Sequence, residues 1–146
     1  MHACRRSTQR LKIRNSVATK REAEELRQDY LQIKALELAP QVYVCGQLFE
    51  QDLKLVAKQG VRSIMNNRPD NELVGQPLSA DLVKAAEELG MTFVHFPIEP
   101  GPISGQDVEA FAKACDELER PLLIFSRSGA RSTKIWEMAE STEFDL

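Results

Sequence analysis

The stretch PLLIFSRSGARSTKIW, residues 121–136, decides how this chain is read. PLLIF (121–125) is a continuous apolar run without polar alternation, the pattern of a strand buried on both faces of a sheet. Residues 126–131 are Ser-Arg-Ser-Gly-Ala-Arg, a turn composition, and a helix is predicted over about 131–141. A loop between a strand and a helix can aim several backbone N–H groups at one point, and the helix adds its positive N-terminal end. Gly129 permits a backbone conformation that other residues resist. Arg131 offers a planar fork of donors to two oxygens of a phosphate or sulfate. The segment therefore predicts an oxyanion site built from Ser126, Arg127, Ser128, Gly129, Ala130 and Arg131.

Upstream the chain alternates regularly. VYVCG (42–46) reads as a strand, and FEQDLKLVAKQG (49–60) as a helix closed by Gly60. VRSIMN (61–66) reads as a strand, followed by a loop over 67–77 and a helix from a Ser79 cap to Leu89. MTFVHFPI (91–98) reads as a strand and EPGPISG (99–105) as a loop. Ser104 and Asp107 have capping-box spacing for a helix over 106–119, which turns Val108, Phe111, Cys115 and Leu118 inward. Cys115 is thereby a core residue, not a reactive thiol. Four strand–helix units in a row predict an α/β fold, a parallel sheet with helices on both faces. Ligands of such sheets bind beyond the carboxyl ends of the strands, which is where the 126–131 loop falls.

The bulk numbers narrow the function classes. At 146 residues, 42% hydrophobic and 28% charged, the chain has the makeup of one globular domain. A net charge of −3 gives no argument for nucleic acid or for a membrane surface, and no apolar run approaches spanning length. The three cysteines are widely spaced, form no CxxC pair and are joined by only two histidines. That pattern argues against a disulfide framework and a metal site, calls for no cofactor, and suits a reducing, cytoplasmic compartment. Residues 1–16 carry five basic side chains and no acid, lack the apolar core of a secretory signal, and read as a disordered basic leader. Residues 17–39 read as a helix with Leu26, Tyr30 and Ile33 on one stripe, ended by Pro40 and able to pack on the domain or to support a homodimer. The main domain is expected over 40–146.

The loop SRSGARS (126–132) is similar to the CRSGxRS loop of a bacterial phosphatase-like domain family first noted in beta-lactamase-hydrolase-like proteins. That family is a branch of the tyrosine/dual-specificity phosphatase superfamily. VYVCGQ (42–47), GVRSIMNNRPDNE (60–72) and FVHFPIEPGPIS (93–104) resemble it as well, so the likeness covers about residues 38–140. The loop alone also resembles those of rhodanese-like sulfurtransferases; the combination is far more specific. The resemblance implies a three-layer α/β/α phosphatase fold with a four-stranded parallel sheet of order 1-4-2-3. It implies that the residue at Ser126 attacks phosphorus, that Arg131 binds the phosphoryl group and that Ser132 assists the leaving nucleophile. It also implies a general acid on a neighbouring loop, for which Glu99 and Asp70 are the candidates.

Two departures bear on the chemistry. Arg131 lies five residues after the nucleophile position, one fewer than in typical tyrosine phosphatases, which weakens a claim of tyrosine specificity. Ser126 stands where the family carries its cysteine, and a serine hydroxyl needs an adjacent base that a thiolate does not. The nearest candidate base is His95. The expectation is a phosphatase-like domain, binding a phosphate- or sulfate-bearing ligand, with covalent chemistry lost or severely slowed as in a pseudoenzyme or a Cys-to-Ser variant. The competing readings are a non-catalytic phosphate or sulfate-binding module and a rhodanese-like sulfur-handling protein.

Overall fold

The computed structural model describes residues 8–10 and 33–142. The strands are β1 (Thr8–Arg10), β2 (Lys34–Ala39), β3 (Val42–Cys45), β4 (Ser63–Asn66), β5 (Thr92–His95) and β6 (Leu122–Phe125). The helices are α1 (Glu50–Lys58), α2 (Ser79–Glu88), α3 (Gly105–Asp116) and α4 (Ala130–Ser141). They form one sheet of order β1-β2-β3-β6-β4-β5. β3, β6, β4 and β5 run parallel, while β2 is antiparallel to β3 and β1 antiparallel to β2.

The sheet is therefore mixed and larger than the four-stranded parallel sheet expected from the sequence. The correction lies in KALELA (34–39), which reads as the end of a helix because Lys, Ala, Leu and Glu are all strong helix formers. Here pairing overrides propensity. The segment folds back on β3 through a tight turn in which Gln41 takes a φ of 63°, and Ala35 and Leu38 are buried along it. β1 falls within the leader expected to be disordered. The remainder of the helix expected over 17–39, and any homodimer contact through it, lies outside the described residues.

The core lies in two layers, one on each side of the sheet. Tyr43, Cys45, Ile64, Phe93, Leu123 and Phe125 pack with α1 and α2 on one face. Val42, Val44, Met65, Leu122 and Ile124 pack with Val108, Phe111 and Cys115 of α3 and Ile135 of α4 on the other. Every residue of β6 is fully buried, because consecutive side chains of an interior strand enter opposite cores. The carboxyl end of β6 thus opens the 126–131 loop at the middle of the sheet. α3 is closed by the Ser104–Asp107 capping box, Ser104 Oγ accepting from Asp107 N at 3.1 Å. Ser79 does not cap α2: it is the first helical residue, and Asp70 Oδ1 accepts its N–H at 2.9 Å. Among the described residues, no helix is long and apolar enough to cross a membrane.

Candidate functional site

The loop wraps around Ser126. This residue is 1% exposed, and its Oγ accepts N–H groups from Gly129 at 3.1 Å and Ser132 at 3.4 Å. Both donors belong to the turn into α4, so the first turn of that helix faces position 126. Gly129 caps α4 with a φ of 91°, and Ser128 Oγ accepts from Ala130 N at 3.4 Å. Arg127 and Ser128 are exposed on the outer side of the turn. The segment that follows β3 supports the loop from beside it: Gln47 N donates to the Arg127 carbonyl at 3.1 Å.

Arg131 reaches across the carboxyl ends of the strands. Its Nη1 donates to the Ile98 carbonyl at 3.1 Å and lies 3.1 Å from Glu72 Oε2, while Nη2 donates to Glu72 Oε1 at 3.4 Å. Both Nη groups are thus held by Ile98 and Glu72. Glu72 is shared with a second arginine, Arg68, whose Nε donates to Oε1 at 3.0 Å. Burial would push the Glu72 carboxyl up; hydrogen bonds from Arg68 and Arg131 and their charges outweigh it and hold it below the usual carboxylate range. The two arginines and one carboxylate leave a net positive charge at the mouth of the loop.

The Ser132 hydroxyl is hydrogen-bonded to Asn67, not to Ser126. Its Oγ donates to Asn67 Oδ1 at 2.7 Å, and Asn67 Nδ2 donates to the Phe96 carbonyl at 3.0 Å. The amide is therefore fixed with its oxygen toward Ser132, and the hydroxyl proton is engaged before any ligand arrives. His95 is not paired with Ser126; its Nε2 lies 2.8 Å from the Arg68 carbonyl, to which it donates. Neither carboxylate candidate for the acid touches Ser126. Glu99 is exposed and directly follows Ile98, whose carbonyl holds Arg131. Asp70 serves the N-terminus of α2. Arg68, Glu72, Gln47 and Asn67 escape a reading of the sequence as individual site residues, although Asn67, Arg68 and Glu72 lie in NNRPDNE and Gln47 ends VYVCGQ.

The described cysteines offer no substitute nucleophile. Burial pushes the Cys45 thiol well above its usual range, and nearby Asp52 adds to this. Burial likewise pushes Cys115 up to about 12. Alkylation under native, mildly alkaline conditions should therefore leave both unlabelled and reach them only after unfolding, which mass spectrometry of the labelled peptides checks. Among the described residues no group of His, Cys, Asp and Glu gathers as a metal site.

A strand-end loop with converging amides and a reaching arginine can hold an oxyanion, and comparison with known proteins identifies its family. The family model for "Beta-lactamase hydrolase-like protein, phosphatase-like domain" matches residues 34–143. The beta-lactamase hydrolase-like protein of Agrobacterium fabrum is 29% identical over 111 residues, which are 76% of this chain and 26% of that protein. The chain spans about a quarter of the length of the curated relatives it matches. The crystal structure of a candidate phosphatase from Neisseria meningitidis is similar at a TM-score of 0.66 and 32% identity, covering 73% of this chain and 78% of that one. One from Shewanella putrefaciens shares the fold at a TM-score of 0.67 and 24% identity, covering 77% and 74%. With the match beginning at β2 and running through α4, strands β2 to β6, the loop and the arginine that spans it fall inside a single family: the chain belongs to the phosphatase-like domain family of beta-lactamase hydrolase-like proteins.

Proposed function

We propose that this phosphatase-like hydrolase domain binds a phosphate- or sulfate-bearing ligand at residues 126–131 and that Ser126 disables its covalent phosphoryl transfer. The observation that carries the reading is the convergence of the Gly129 and Ser132 N–H groups on position 126, at the end of the loop that also carries Arg131. Anion binding needs only these donors and the charge. Covalent transfer needs a nucleophile that ionises; among the described residues the Ser126 hydroxyl meets only backbone N–H donors and no base, and His95 is hydrogen-bonded to the Arg68 carbonyl instead. The same observation favours the binding-module reading for the chain as it stands. Rhodanese-like sulfur handling would need a thiol at the same position.

Calorimetric titration with inorganic phosphate and with sulfate tests the reading. Binding is expected for the unaltered chain and should weaken by about ten-fold or more in Arg131→Ala, since a charge-assisted fork is lost. A chain that takes up neither anion, or an Arg131→Ala variant that binds as well as its parent, ends it.

The two carboxylates separate by their positions. In a Ser126→Cys background, Glu99→Gln should lower turnover of an alkyl phosphate by about a hundred-fold while leaving the fold intact, as expected of a general acid. Asp70→Asn should instead cost about 1 kcal/mol of stability, because it weakens the contact at the start of α2. Steady-state kinetics and thermal unfolding on both variants check the assignment, and reversed outcomes would exchange the roles.

A further inference from the structure

A chain of hydrogen bonds runs around the 126–131 loop and joins its two ends. At the first end the Arg127 carbonyl accepts from Gln47 N at 3.1 Å. The Gln47 side-chain oxygen accepts from Arg68 Nη1 at 2.9 Å. Arg68 Nε donates to Glu72 Oε1 at 3.0 Å, and Glu72 holds Arg131 at the second end. Three distant segments, around residues 47, 68–72 and 127–131, are closed into one ring by a single guanidinium. We propose that Arg68 is a positioning residue for oxyanion binding, acting through Glu72 on Arg131 without touching the ligand. This rests on the oxyanion reading of the loop.

Three features favour that role over plain scaffolding. First, the Arg68 backbone is pinned on both sides: its N–H donates to Asn66 Oδ1 at 2.8 Å, its carbonyl accepts from His95 at 2.8 Å, and Pro69 follows. A guanidinium on so fixed a stem holds the Glu72 carboxylate in one place. Second, Arg68 balances the charge. With it, the cluster of Arg68, Glu72 and Arg131 keeps a net positive charge; without it, Glu72 and Arg131 neutralise each other, and the attraction for a dianion falls. Third, Arg68 is 4% exposed, yet its Nη2 is buried with no partner among the described residues. An incompletely paired buried cation works against folding stability, so stability alone would favour an uncharged residue there.

The test is sulfate binding by the full chain, measured by calorimetry across pH, beside thermal unfolding. Sulfate keeps its charge through the range in which Glu72 titrates. Arg68→Met should weaken binding by about ten-fold. Arg68→Lys should recover part of the loss, since an ammonium restores the charge but cannot serve Glu72 and Gln47 together as a planar fork does. In a Glu72→Gln background, Arg68→Met should have a much smaller effect, because the two act in series. The carboxyl loses a cationic partner in Arg68→Met, so the acid-side change in sulfate affinity should move to higher pH, a shift that lost packing would not produce. Unchanged affinity in Arg68→Met overturns the proposal, and so does an equal loss in both backgrounds, which would mean that Arg68 acts on the ligand by its own charge or contact and not through Glu72. If Arg68→Met does not fold, Arg68→Lys decides by the same comparisons. A parent chain that binds no sulfate and no phosphate brings down the oxyanion reading itself; a parent that binds while the Arg68 variants match it brings down this inference alone.

Discussion

Ser126→Cys should turn the chain into a working aryl phosphatase, with kcat rising by on the order of a thousand-fold or more, equivalent to about 4 kcal/mol of barrier. The scaffold already holds what a thiolate requires. Position 126 receives N–H groups from Gly129 and Ser132 and faces the first turn of α4. A thiol at such a helix start ionises at about pH 3.5–7.5, where a hydroxyl stays protonated. Aryl phosphates suit the test because their leaving oxygen needs little help from an acid. Adding Arg131→Ala to the cysteine variant should remove most of the gain, because the phosphoryl oxygens lose their guanidinium. Alkylation supplies an independent readout: the new thiol should react near neutral pH while Cys45 and Cys115 stay protected. A cysteine variant that is alkylated readily yet turns nothing over would mean that the loop binds anions without aligning them for attack. A variant whose thiol titrates in the ordinary range would mean that the two N–H contacts do not stabilise a negative charge there.

What the sequence revealed of this site and what it concealed divide along chain distance. SRSGARS declares its chemistry because the turn, the helix start and the arginine are contiguous. The buried nature of β6 is equally local, since five apolar residues in a row leave no solvent face. Glu72 carries no such signal: it is one of several loop acids, and only the sheet order brings it within reach of Arg131, 59 positions later. Gln47 and Arg68 are hidden for the same reason, 21 positions apart and joined by the neighbouring ends of β3 and β4 around β6. Asp70 and Glu99 attract attention as acids, but a carboxylate's role depends on what it faces, and Asp70 faces a helix N-terminus. The extra strand is a different failure. KALELA has a helical composition, and what makes it a strand is the open edge of β3, which lies outside the segment itself.

Gly129→Ala should be among the most damaging single substitutions in the loop, lowering the melting temperature by on the order of 10 °C and abolishing measurable phosphate binding. Two separate costs meet at this residue. Its φ of 91° is strained for any side chain, by about 1–3 kcal/mol. A Cβ would also lie 3.1 Å from the Cys45 carbonyl oxygen and 3.3 Å from its carbon, and an interior strand cannot give way. Overpacking of that kind adds about 1–3 kcal/mol. Two other glycines isolate the parts. Gly75 has a φ of 86° with nothing within 4 Å of a Cβ, so Gly75→Ala should show the strain alone, about 1 kcal/mol. Gly46 lacks the positive φ, but its Cβ would meet the Arg127 carbonyl oxygen at 3.2 Å, so Gly46→Ala should show a crowding cost alone. Phosphate affinity should follow a different order from stability. Gly75→Ala leaves the loop untouched and should bind as the parent does. Gly46→Ala pushes on the first turn of the loop and should bind more weakly, and Gly129→Ala displaces an N–H that faces position 126. If Gly129→Ala melted near the parent and still bound phosphate, the loop could hold its donors without the left-handed turn, and the shape assigned here to the oxyanion cradle would be wrong.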